Sequence, residues 1–371
     1  MNIPFVDLKT QYKSIQKHID AAIARVIEEA HFIQGEDVRL FEEEFASYIG
    51  VKRCISLNSG TDALILGIRA LELSPDSEIL VPVNTFIATA LGISENRLKP
   101  VFVDVDPSDY GMDLDDLKRK ITNKTKAILP VHLYGQPEKL DEIRDIIRKT
   151  KREIYLIEDA CQAHGAKYKG ETVGSFGIFS AFSYYPGKNL GAYGDGGALV
   201  TDDNKLAEKV RLLREYGARK KYVHDSLGIN SRMDTIQAAI LRVKLHHLDA
   251  WNKKRQHWAS RYTSELSDVM PRIRTPEIFS DRASVYHLYV IEVEKRDELL
   301  TYLNKNGVQS LIHYPTPLHL QKAYGYLGYK KGDFPKVENM ANRILSLPMH
   351  PDLTEEQIQY VVSLIKKFYK K

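Results

Sequence analysis

Through the first two thirds of the chain, short apolar runs bounded by turn residues alternate with amphipathic stretches. The runs at 54–57, 79–83, 101–105, 127–133, 154–157, 179–184 and 198–201 are apolar on successive residues. That is the pattern of strands covered on both faces. Helical spacing fills most of the gaps between them, at 62–73, 86–94, 114–121, 138–149 and 205–216. Strands alternating with helices imply crossover connections and a mainly parallel sheet of about seven strands, an α/β architecture.

After Gly228 the texture changes. A long helical stretch without Gly or Pro runs over 234–264, followed by Pro271 and Pro276. Then come one strand-like run at 286–294, a helix at 296–305, a loop rich in His and Pro at 313–319, and a last helix at 354–369. Thr354 and Gln357 read as the N-cap of that helix and its capping-box partner. The pattern predicts a large α/β domain over 1–250 and a smaller α+β domain over 251–371, with the first ~25 residues packing with the small domain.

Composition adds mostly exclusions. The chain has 371 residues, 43% hydrophobic and 27% charged, with 53 Lys+Arg against 49 Asp+Glu. That is an ordinary globular balance, and its basic clusters are short, so no nucleic-acid-binding stripe is expected. Two cysteines, Cys54 and Cys161, give neither zinc-ribbon spacing nor a disulfide framework, and no metal site is expected. The N-terminus lacks the signal-peptide pattern, and the longest apolar stretch is broken by Pro82, Asn84, Thr85 and Thr89. No membrane association is therefore expected, and the cytoplasm is the expected compartment.

Three segments carry candidate chemistry. In Phe182-Ser-Tyr-Tyr-Pro-Gly-Lys188, a strand ends in a Gly-rich turn bearing one lysine among aromatic residues. Lys188 is either an ordinary surface lysine of a hairpin or a partly desolvated one, whose lowered pKa makes the amine a nucleophile for carbonyls. The following glycines precede a strand rather than a helix, which excludes a dinucleotide fingerprint, and Gly187-Lys188-Asn189 lacks the P-loop Ser/Thr. In the second, Glu158-Asp159 closes an apolar run where ligands gather in parallel sheets, and Asp159 is either a helix cap or a partner for a protonated ring nitrogen. His164, shortly after, is either a ligand-contacting or a packed histidine. In the third, Asn58-Ser-Gly-Thr-Asp62 opens a helix, either as an anion site or through plain capping by Ser59, Thr61 or Asp62. Taken together, an amine, a ring-nitrogen carboxylate and a phosphate site describe a holder of pyridoxal 5'-phosphate (PLP).

These residues stand in recognisable company. Pro4-Phe-Val-Asp7, Asn58-Ser-Gly-Thr-Asp-Ala-Leu64, Val81-Pro-Val-Asn-Thr-Phe-Ile-Ala-Thr89, Val131-His-Leu-Tyr-Gly-Gln136, Glu158-Asp159 with Gln162 and His164, Pro186-Gly-Lys188, Gly228-Ile-Asn-Ser-Arg232 and Ser346-Leu-Pro348 occur in order. Over nearly its whole length the chain resembles the DegT/DnrJ/EryC1/StrS sugar aminotransferases, of the fold-type-I PLP class. The resemblance implies that Lys188 holds the cofactor as a Schiff base and shuttles the proton, and that Asp159 pairs with the pyridinium nitrogen. It implies that Gln162 contacts the phenolic oxygen, that Phe86 stacks on the ring, and that Gly60, Thr61 and Ser183 bind the phosphate. Asn230 would reach that phosphate from a neighbouring subunit, making a homodimer with active sites at its interface. Tyr184, Arg219, His313 and Tyr314 lie where related enzymes approach the sugar nucleotide.

Members with His in place of Lys188 act as dehydratases, so transamination is expected. The surroundings of Lys188 resemble the branch that aminates C3 of nucleotide-linked 3-keto-6-deoxyhexoses, by branch dTDP-linked, with L-glutamate as donor and ping-pong kinetics. The product would be a dTDP-3-amino-3,6-dideoxyhexose. The alternatives are a C4-aminating transaminase, which tends to have His where Tyr185 stands, another PLP enzyme such as a lyase or desulfurase, and a non-catalytic PLP- or sugar-nucleotide-binding regulator.

Overall fold

All seven expected strands of the sheet are present in the computed structural model, which describes residues 1–370. They are β1 (Arg53–Leu57), β2 (Glu78–Pro82), β3 (Lys99–Val103), β4 (Thr125–Ile128), β5 (Tyr155–Asp159), β6 (Phe179–Ser183) and β7 (Gly197–Thr201). Their order is β1-β7-β6-β5-β4-β2-β3. Every neighbouring pair is parallel except the two that involve β7, which runs antiparallel to β1 and β6.

The helices are α1 (Leu8–Glu29), α2 (Glu36–Ile49), α3 (Gly60–Ala70), α4 (Ile87–Ser94), α5 (Leu114–Lys120), α6 (Leu140–Thr150), α7 (Asn204–Arg214), α8 (Thr235–Leu245), α9 (Leu248–Glu265), α10 (Arg296–Lys305), α11 (Pro335–Ala341) and α12 (Glu355–Lys370). Successive strand residues point to opposite faces, and the two cores sort accordingly. Ile55, Leu57, Ile79, Val81, Ile157, Phe179, Ala181 and Leu199 pack with Leu64 and Leu66 of α3, Ala90 of α4 and Val210 of α7. Cys54, Leu80, Leu156, Phe182, Ala198 and Val200 pack with Phe41 and Phe45 of α2, Ile143 of α6 and Leu241 of α8. The sheet is buried on both sides, which is why its strands read as unbroken apolar runs rather than alternating ones.

A third core joins Ile3, Tyr262 of α9, Ile291, Leu345 and Leu347, and Ile358, Val361 and Ile365 of α12. Its strands Tyr289–Val293 and Ile344–Leu347 pair antiparallel. Thr354 and Gln357 exchange both capping-box bonds, Gln357 N–H to Thr354 Oγ1 and Thr354 N–H to Gln357 Oε1. The single helix expected over 234–264 is two. At His246–His247 the ladder tightens, with His247 N–H bonded to Lys244 O rather than four residues back. The His247 ring stacks on Trp251. No Gly or Pro marks the site, because packing imposes the break.

A buried polar knot ties β5 to its surroundings. Glu158, fully buried, accepts from His132 Nε2 (3.0 Å), from the N–H groups of Gly174, Phe176 and Gly177, and from Ser180 Oγ. His132 Nδ1 accepts the Glu138 N–H, which leaves Nε2 as the donor to Glu158. Burial alone would raise the Glu158 pKa, but these bonds hold it below the usual range. Glu138 is the opposite case. One oxygen takes the Met112 N–H and the other has no partner among the described residues. Burial, with Asp109 adding to it, pushes its pKa up to about 8.

A carboxyl raised from 4.5 to about 8 binds its proton in the folded chain and loses it in the unfolded one. Stability therefore falls as pH rises through that window, by up to about 1.4 kcal/mol per pH unit. Glu138→Gln removes this term. Urea unfolding at several pH values is expected to show the variant gaining on the parent as pH rises from 5 towards 8; parallel curves would refute the buried-acid assignment.

Candidate active site

The candidate residues gather at the carboxyl ends of β5 and β6, on the face covered by α3 and α4. Parity assigns the residues there: Ile157 and Asp159 share one face of β5, Glu158 the other. On β6, Phe179, Ala181 and Ser183 share the α3 face, while Phe182 and Tyr184 face α2. Tyr184 is accordingly fully buried, edge-on to Phe41 and Phe45 and beside His164, and its hydroxyl has no partner among the described residues. The expectation that Tyr184 approaches substrate is corrected: the alternation that turns Ser183 to the cleft turns Tyr184 into the core. His164 is likewise a packed histidine, against Phe182 and Tyr184, and burial first, then Lys188, lowers its pKa to about 3.

Asp159 is held at both oxygens. Oδ2 accepts from Thr89 Oγ1 (2.7 Å) and Oδ1 from the Cys161 N–H (3.1 Å). The Lys188 amine stands near Asp159 and Cys161. Burial lowers its pKa, with those two neighbours opposing. Its loop is pinned from behind. Tyr193 N–H donates to Gln237 Oε1, Asn189 Nδ2 to Asn252 Oδ1, and the buried Lys244 Nζ to Gly191 O at 2.6 Å. Burial drops the Lys244 pKa to about 7. The Cys161 thiol is pushed well up by burial, then by Asp159, so it is no thiolate nucleophile of the kind a desulfurase needs.

The start of α3 lies against the end of β6. A Cβ on Gly60 would stand 2.7 Å from Ser183 Cβ and 2.8 Å from Cys161 Sγ, so glycine is required by close approach. Ser59 is the cap that the sequence left open, taking the Asp62 N–H. The N–H groups of Gly60 and Thr61 have no acceptor among the described residues. Two unspent N–H groups thus lie beside Ser183, and free N–H groups at a helix start are a fitting seat for a phosphate.

Gln162 and Tyr314 form the adjoining wall. Gln162 Oε1 accepts the Tyr134 N–H (2.7 Å) and Nε2 donates to Tyr314 Oη (3.2 Å). That fixes the amide orientation and leaves one Nε2 hydrogen free. The Tyr314 ring lies 5.9 Å from that of Phe86, which is 52% exposed at the start of α4. His313 bonds Ser346 Oγ through Nδ1 and stacks on Phe5, and burial, then Lys188, lowers its pKa to about 4. Arg219 and Asn230 are not brought to this cleft within the chain. Arg219 pairs with Asp225 on an exposed hairpin, and the exposed Asn230 accepts from Arg232 Nε. Thr89 and Tyr134 were not singled out from sequence; the position of Thr89, three residues after Phe86 on one helical face, was the available signal.

An amine, a doubly held carboxylate, a phosphate seat and an exposed aromatic ring suit an aldehyde cofactor with a basic ring and a phosphate, and so fit PLP. The sequence model of the DegT/DnrJ/EryC1/StrS aminotransferase family matches residues 13–366. The chain is 44% identical over 366 residues to the dTDP-3-amino-3,6-dideoxy-alpha-D-galactopyranose transaminase of Aneurinibacillus thermoaerophilus, covering 99% of each. It is 42% identical over 365 residues to the UDP-N-acetyl-3-dehydro-alpha-D-glucosamine 3-aminotransferase of Acidithiobacillus ferrooxidans, covering 98% of this chain and 97% of that one. A crystal structure of S. venezuelae DesV in complex with a ketimine intermediate superposes with a TM-score of 0.96 at 42% identity, over 100% of this chain and 99% of that one. Solved relatives include PLP and PMP forms. The chain belongs to the DegT/DnrJ/EryC1/StrS aminotransferase family and is a PLP-dependent sugar aminotransferase.

Proposed function

We propose that this chain moves the amino group of L-glutamate to C3 of a nucleotide-linked, most simply dTDP-linked, 3-keto-6-deoxyhexose. The observation that carries the transfer chemistry is the convergence of the Lys188 amine, the doubly bonded Asp159 carboxylate and the unspent N–H groups of α3. Position 3 is supported by the names of both relatives, although their nucleotides differ.

PLP, when bound, supplies an electron sink for the carbon that loses its proton. The residues of the chain do the rest. Lys188 Nζ, its pKa lowered by burial, is a free base more of the time than an exposed lysine, and so can take that proton and return it. Asp159, fixed as an acceptor by Thr89 and Cys161, offers negative charge to a protonated ring nitrogen. The Gly60 and Thr61 N–H groups with Ser183 Oγ would hold the phosphate, Phe86 would cover a ring face, and Gln162 Nε2 has one hydrogen left to offer a ring oxygen. His313 and Tyr314 border the space beyond for the sugar nucleotide.

A homodimer completes this reading. Leu227 is 92% and Tyr222 83% exposed on the hairpin arm that also carries Arg219, and apolar groups displayed in this way mark an interaction surface. We assign Asn230 and Arg219 to the partner's cleft. Among the described residues no helix is long and apolar enough to cross a membrane. Both cysteines are free thiols, which supports a reducing compartment such as the cytoplasm.

With PLP supplied, the protein is expected to show a visible band that glutamate bleaches and the 3-keto sugar nucleotide restores. Lys188→Ala should lack the band and lose roughly 10²–10⁴-fold or more in turnover. NMR of the product distinguishes amination at C3 from C4, and a C4 product would overturn the regiochemistry. Gly60→Ala drives a methyl into Ser183 and Cys161. It should weaken PLP binding at least tenfold (about 1.4 kcal/mol) with the circular dichroism unchanged, as read by titrating the band. Mixing Lys188→Ala with Asn230→Ala chains should recover activity beyond the sum of the two, because one site of each mixed dimer is intact; no recovery would place Asn230 in its own subunit's site.

A further inference from the structure

The first turn of α4 does more than present Phe86. Thr85 and Thr89 flank it, both buried, at 4% and 1% exposure. Their hydroxyls lie 2.8 Å apart, and Thr89 Oγ1 lies 2.7 Å from Asp159 Oδ2. An ionised carboxylate only accepts, and a threonine hydroxyl has one hydrogen. Thr89 therefore spends its hydrogen on Asp159, and the contact between the threonines must run from Thr85 to Thr89. The Thr85 hydroxyl then points at Thr89 and the Thr89 hydroxyl at Asp159, and each bond of this chain strengthens the other.

We propose that Thr89, backed by Thr85, is a positioning residue that fixes the orientation of Asp159 toward the cofactor ring nitrogen. This rests on the reading of Asp159 as the ring-nitrogen partner. With Thr89 on Oδ2 and the Cys161 N–H on Oδ1, the carboxylate cannot rotate, so the lone pairs left over keep one direction. The groups facing Asp159 are few. Lys188 comes from the loop after β6, Cys161 from the turn after β5, and Tyr314 from the wall beyond. The Cys161 thiol also bonds the Asp159 carboxylate, but among the described residues Thr89 supplies the hydroxyl bond to Oδ2, so loss of that hydroxyl leaves the thiol as the only side-chain donor in reach. Because Phe86 and Thr89 share one helical turn, the ring face and the ring nitrogen would be registered by one rigid element.

The test uses PLP-loaded protein and the variants Thr89→Val, Thr89→Ser, Thr85→Val and Asp159→Asn. The readouts are the pH midpoint of the visible band, the PLP dissociation constant, and kcat against KM for glutamate. Thr89→Val is expected to lower kcat about tenfold, the worth of one hydrogen bond to a charge, with KM little changed. It should also move the midpoint in the same direction as Asp159→Asn. Thr89→Ser should restore both, and Thr85→Val should give the same shift in smaller measure. A folded Thr89→Val with parental midpoint and kcat, beside an Asp159→Asn that changes both, overturns the proposal. If Asp159→Asn itself leaves the band untouched, the underlying assignment of Asp159 fails, and the role of Thr89 with it. Should Thr89→Val not fold, Thr85→Val decides, and an unshifted midpoint there overturns the proposal.

Discussion

Two adjacent carboxylates at the end of β5 share a backbone and do opposite work, and the burial of one makes the other usable. Glu158 is a fully buried charge, and such a group is tolerable only when its oxygens are saturated with donors. Three backbone N–H groups of the 174–177 segment, Ser180 and His132 supply them. Those donors come from the strand and loops on either side, so satisfying Glu158 locks β5 to β6. Asp159, one residue on, is then presented to the opposite face with its height and angle already set.

From that fixed edge the site is assembled by close approach. Gly60 admits the start of α3 to the end of β6. Helix α4 brings Thr89 to Asp159, while α8 and α9 hold the Lys188 loop through Gln237, Lys244 and Asn252. Each contribution comes from an element that is already packed on a core, so little is left to order when ligand arrives. Burial also does chemical work, lowering the pKa of Lys188 and keeping His164 and His313 neutral beside it. A second cation next to the amine is thereby avoided.

The chain by itself determined the sheet and its strands, because strands buried on both faces must be apolar at every position. It also determined the glycine at the start of α3, the lysine after β6, the Glu158-Asp159 pair and the capping box at Thr354. These are local patterns, and local physics reads them. The break at His246–His247 was not legible, since it follows from packing around Trp251 rather than from a helix breaker. The resemblance put Tyr184 near the sugar nucleotide; only the side on which α2 lies shows that its ring is core. The same dependence on tertiary structure decided which carboxylate faces the cleft, that Ser59 caps α3, and that Thr89 reaches across 70 residues to Asp159. Parity says that neighbours on a strand diverge, but which face becomes a cleft is set by the helices that cover the sheet and by where they stop.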